Sequence, residues 1–133
     1  VSKSTHEDEL AAHWHDVMGL YHRVNTALDR TLMERHSVSV SDFEVLQELY
    51  AADRSGTQVR MSELESSVHL SQSALSRLVS RLEAGGLVLR SMCEDDRRSM
   101  YVGITPKGSQ RFTEARPTQR STLRDLMTPA PGH

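Results

Sequence analysis

Cysteine is nearly missing from this chain: Cys93 is the only one among 133 residues. A lone thiol excludes an internal disulfide framework and fits a reducing compartment, while an intermolecular bridge stays open. No run of eighteen apolar residues occurs and no charged-then-apolar leader opens the sequence, so the expectation is a soluble, cytoplasmic protein with no membrane partner. Aromatic residues make up 5% and hydrophobic residues 37%. That composition supports one modest core, in one domain or two small intimate ones, and leaves little room for an enzyme with a deep cleft. No excess of positive charge exists either. The net charge of −2 argues weakly against a nucleic-acid binder until the charges are located. Residues 1 to 59 carry five Lys and Arg against ten Asp and Glu, whereas residues 70 to 111 carry seven against four. The cationic portion is one segment.

That segment has the chemistry of a DNA reader. From Leu70 to Ile104 it runs LSQSALSRLVSRLEAGGLVLRSMCEDDRRSMYVGI. Leu75, Leu78, Val79 and Leu82 recur at the three- and four-residue spacing that sets one helix face against a core. Gln72, Ser73, Ser76, Arg77 and Ser80 fall on the other face. Short polar groups with one long cation suit hydrogen bonding to base edges in a major groove, whereas a merely solvated face more often carries Glu and Lys. Ser71 is placed to cap this helix and Gly85-Gly86 to end it. Next, LVLRSMC and SMYVGIT flank the charged turn EDDRR, the pattern of a two-stranded ribbon with an exposed tip. An arginine at such a tip, Arg97 or Arg98, can enter a minor groove. Asp96 reads as the orienting partner of an arginine, with Arg90 a candidate, and Arg81 reads as a phosphate contact beside Ser80.

The remaining chain frames this module. Leu10, Trp14, Val17, Met18, Tyr21, Val24, Leu28 and Leu32 form an apolar stripe from Leu10 to Arg35, roughly seven helical turns. Such a stripe exceeds what a small domain needs and suggests packing on a second subunit. Ser41 with Glu44 and Ser62 with Glu65 read as capping boxes opening two further helices. Val59-Arg60 reads as a short extended segment between them. The turn VHLS then joins the shorter helix to the reading helix, which makes a helix-turn-helix. Thr105-Pro106 starts a last helix reaching about Met127, with a break expected at Pro117.

Taken together, MSELESSVHLSQSALSRLVSRLEAGGLV and DRRSMYVGITPKG resemble the winged helix-turn-helix of the multiple-antibiotic-resistance regulator (MarR) family of bacterial transcription factors. The family's Asp-x-Arg wing falls on Asp96 and Arg98, and Ile104 stands where Leu is usual. The resemblance covers about Leu10 to Met127. It implies a mainly α fold with a small antiparallel β-wing, flanked by long N- and C-terminal dimerisation helices. The expected division is an N-terminal arm and dimerisation helix over 1–35, a DNA-binding domain over 36–104, and a dimerisation helix and tail over 105–133. Family members usually carry a further helix beyond that point. The resemblance also implies a homodimeric repressor on a pseudo-palindromic operator of double-stranded DNA. Arg98 would take the minor groove, and a small aromatic effector would bind near Trp14, Met18 and Tyr21.

Each sharp reading has a bland counterpart. The stripe of Trp14, Met18 and Tyr21 is more often plain core than pocket. Seven histidines invite a metal reading, with Glu9 and His13 or His15 and His22 sharing a helix side, but three or four convergent ligands are required and no second pair is close in sequence. Neither a metal nor any other cofactor is expected. Cys93 precedes an acidic triplet that blunts a thiol, so a redox-responsive regulator is the lesser alternative. A winged-helix interaction module that never meets DNA is the other.

Overall fold

The computed structural model describes residues 3–92 and 99–128, and among these the chain forms five helices and three strands. The order is α1 (Lys3–His36), α2 (Val40–Ser55), β1 (Val59–Arg60), α3 (Met61–Ser67), α4 (Gln72–Ala84), β2 (Val88–Met92), β3 (Met100–Ile104) and α5 (Pro106–Met127). The fold is mainly helical with a small antiparallel sheet, as the resemblance implied. The expected wing tip, with Cys93, Asp96, Arg97 and Arg98, lies outside the described residues.

The core gathers where α2 meets the C-terminal part of α1, α4, the sheet and α5. Leu32, Val38, Phe43, Leu46 and Leu75 are fully enclosed there, and both phenylalanines of the chain meet across the α2–α5 contact, ring centroids 5.2 Å apart. The four apolar positions read on α4 are all buried. Strand β3 lies between β1 and β2, in register Val59↔Val102 on one side and Val88↔Ile104 to Met92↔Met100 on the other.

Helix α1 starts seven residues before the expected Leu10 and ends at His36, where Ser37 takes a left-handed φ of 57°. Its stripe divides in two. Leu28 and Leu32 enter the core, whereas Leu10, Trp14, Val17, Met18, Leu20 and Tyr21 stay exposed.

Local signals placed some boundaries wrongly. The capping box of α2 is Ser39 with Asp42, two residues before the expected Ser41 and Glu44: the Asp42 N–H donates to Ser39 Oγ and the Ser39 N–H to Asp42 Oδ2, both at 2.9 Å. At α3 the expected box of Ser62 and Glu65 also shifts by two, because Val59-Arg60 pairs with β3 and the helix turns directly off the strand, with Glu63 Oε1 accepting the Arg60 N–H. Helix α5 is unbroken at Pro117. Phe112 and Ala115 before the proline and Gln119 after it are all buried, so packing holds both halves in line although a hydrogen bond is lost.

Candidate nucleic-acid interface

The reading helix is fixed at its start, along its side and at its end. Ser71 Oγ accepts the Ala74 N–H at 3.2 Å, which satisfies one of the free amide groups of the first turn. After Gly85 the chain reverses through Gly86 at φ 78°, a left-handed conformation that glycine adopts without steric cost. Lys107 Nζ then donates to the Gly85 carbonyl at 2.9 Å and Thr105 Oγ1 to the Gly86 carbonyl at 2.6 Å, tying the end of α4 to the start of α5. A lysine at a helix C-terminus also complements the helix dipole.

Two ion pairs brace α4 laterally. Arg81 Nη2 donates to Asp42 Oδ1 at 2.8 Å and Nη1 to Oδ2 at 3.0 Å, a two-point clamp onto a carboxylate that is 1% exposed. Hydrogen bonding to Asp42 raises the Arg81 pKa above its ordinary value, outweighing the opposing effect of burial. On the wing side Arg90 pairs with Glu83: its backbone N–H reaches Oε2 at 3.0 Å, and Nε and Nη2 reach Oε1 at 3.2 and 3.1 Å. These bonds hold the Glu83 carboxyl below the usual carboxylate range. Arg90 Nη2 also donates to Ser80 Oγ at 3.1 Å.

With the helix so held, Gln72, Ser73, Ser76, Arg77, Ser80 and Arg81 are all exposed. The first four lie on one outward face, and Arg77 has no hydrogen bond or ion pair with any described residue. Arg81 and Arg90, by contrast, are engaged within the protein. Glu83 is a partner of Arg90 among the described residues, and the expected Asp96 falls outside them. Sequence reasoning missed both carboxylates. Glu83 sits seven residues from Arg90 across the helix-to-strand turn, and Asp42 sits 39 residues from Arg81, a separation at which no local pattern speaks.

Away from this face, a groove of about 350 Å³ opens between α1, α2 and α5. Val17, Leu20, Tyr21, Leu28 and Leu123 supply apolar walls, and Glu44 is the one carboxylate lining it. Of the three residues expected to form an effector site, Tyr21 lines this groove. Trp14 and Met18 do not line it, and both are exposed. Among the described residues no three His, Cys, Asp or Glu side chains converge as a metal site would require, and no helix is long and apolar enough to cross a membrane.

A short helix, a turn, an outward-facing helix and a following antiparallel ribbon define a winged helix-turn-helix. The MarR family model matches residues 38–100, the span from the end of α1 to the start of β3. Over this module the chain resembles the MarR family. It is similar to the uncharacterized HTH-type transcriptional regulator YdgJ of Bacillus subtilis (strain 168), 27% identical over 90 residues, 68% of this chain and 52% of that protein. The chain thus spans about half the length of that curated relative. Among solved structures it is similar to the transcriptional regulator BldR of Sulfolobus solfataricus, with 27% identity and a TM-score of 0.83 over 99% of this chain and 89% of that one. It is also similar to Sco3205, a MarR family transcriptional regulator of Streptomyces coelicolor solved in complex with DNA, with 25% identity and a TM-score of 0.82 over 93% and 78%.

Proposed function

We propose that this chain is a homodimeric transcriptional regulator that binds double-stranded DNA through the outward face of α4. The carrying observation is that Gln72, Ser73, Ser76 and Arg77 are displayed together on a helix braced at both ends. A rigid helix with unengaged polar groups loses little entropy on docking, and a bidentate contact to a base is worth roughly 1 to 3 kcal/mol of discrimination. That Sco3205 was solved with DNA supports the reading.

The wing arginines Arg97 and Arg98, with Asp96, complete the proposal at the adjacent minor groove. The exposed apolar residues of α1, from Leu10 to Tyr21, favour a second copy as partner, since monomers rarely leave so large an apolar surface in water. Two-fold symmetry then implies a pseudo-palindromic operator with half-sites about 10 bp apart. Repression relieved by a small molecule in the groove beside Tyr21 extends the same reading. A gel shift on duplex DNA flanking the chain's own gene tests it. Wild type should bind with an affinity that falls steeply with salt, and Arg77→Ala and Arg98→Ala should each weaken binding. Full binding by both variants would remove the assignment.

A further inference from the structure

We infer that Arg81 is a positioning residue for the reading helix: clamped to the buried Asp42, it sets the angle at which α4 meets DNA and ties that angle to α1 through the N-terminus of α2. The inference rests on the DNA-binding reading above and deepens it.

Asp42 has almost no access to water, so its charge depends on partners inside the fold. Arg81 supplies two hydrogen bonds and the Ser39 N–H a third. The carboxylate itself is held by its place in the first turn of α2, where the Asp42 N–H donates back to Ser39 Oγ. Between Ser39 and Asp42, the Val40 N–H donates at 2.9 Å to Oδ1 of Asp29, a residue of α1. Three helices therefore meet at residues 39–42: α1 through Asp29, α2 through its own cap, and α4 through Arg81. Ser37 is left-handed and Val38 fully buried, so the connection from α1 to this turn is short and packed, and the hydrogen bonds of Asp29 and Arg81 join the turn to α1 and α4. A guanidinium whose Nη1 and Nη2 both serve a carboxylate is poorly placed to grip a phosphate as well.

Anisotropy titrations of operator and unrelated duplex across a salt series separate the two roles, with helix content followed by circular dichroism. Positioning predicts that Arg81→Lys, which keeps the charge but loses the planar two-point fork, weakens operator binding by about tenfold, as expected when a bidentate base contact slips out of line. Binding to unrelated duplex and the salt slope should stay at wild-type values. Asp42→Asn, which removes a negative charge, should weaken operator binding too, and the double variant should be no worse than either single one. A phosphate contact predicts otherwise: Arg81→Lys binds normally, Arg81→Ala lowers the salt slope by about 0.9 and weakens both duplexes alike, and Asp42→Asn binds as well or better. That second pattern would overturn the inference. Should Asp42→Asn lose helix content, Arg81→Lys decides alone. Wild-type protein with no salt-dependent affinity for duplex would overturn the underlying function instead.

Discussion

Gly108 stands where α5 leaves the sheet, and a Cβ there would press into the Leu87 carbonyl and within 2.8 Å of Ile104 Cγ1. Backbone cannot move aside as a flexible side chain can. Gly108→Ala is expected to destabilise the fold by roughly 1 to 3 kcal/mol, read as a lower midpoint in urea with unchanged m-value. Glu44 makes a pH prediction. Burial raises its pKa above the ordinary 4.5, with nearby Arg120 opposing, so the folded chain binds this proton more tightly than the unfolded one. A raised carboxyl contributes stability below its unfolded value and loses it as pH rises through the folded one. Glu44→Gln should therefore raise Tm at pH 7 and lose that advantage at pH values under about 4; an equal effect at both would contradict the assigned cause. At this scale the outward residues of α4 were legible because helical spacing separates them from Leu75, Leu78, Val79 and Leu82. The partners of Arg81 and Arg90 were not, since ion pairs are chosen by the folded neighbourhood.

Among the elements, α5 carries an internal cost. Pro117 removes one hydrogen bond within an otherwise continuous helix, and its own position is exposed. Pro117→Ala is expected to stabilise the protein, by up to about 3 kcal/mol, with a higher Tm as the readout. Thermal melts showing a loss instead would mean that the proline's ring or bend is part of the packing. The start of α2 shows why boundaries are the harder part of a sequence. Ser39-x-x-Asp42 and Ser41-x-x-Glu44 are overlapping capping patterns, equally good locally. The first prevails where Arg81 comes from α4 to neutralise Asp42 and Asp29 comes from α1 to receive the Val40 N–H. Where a clear cap precedes strong periodicity, at α4 behind Ser71 and α5 behind Thr105-Pro106, the start of the element was legible to the residue.

At the scale of the whole molecule, a reading head is joined to a face that a single copy leaves uncovered. Trp14 and Tyr21 are 61% and 69% exposed on α1. Sedimentation of the wild type is expected to give twice the 15.0 kDa chain mass, and Trp14→Glu with Tyr21→Glu should shift it toward the single mass and abolish operator binding. A dimer unmoved by both charges would place the interface elsewhere. The excess length of the first apolar stripe made legible that part of it would stay outside the core of one copy. The groove between α1, α2 and α5 was only half legible, because a stripe records which residues share a face and not where neighbouring helices stop covering it. The central claim, that the outward face of α4 lies in the major groove, is tested most directly by dimethyl sulfate protection of guanine N7 on bound operator. Two protected patches about 10 bp apart are expected, both lost in Arg77→Ala; bound DNA whose guanine N7 positions all stay reactive would place α4 outside the major groove.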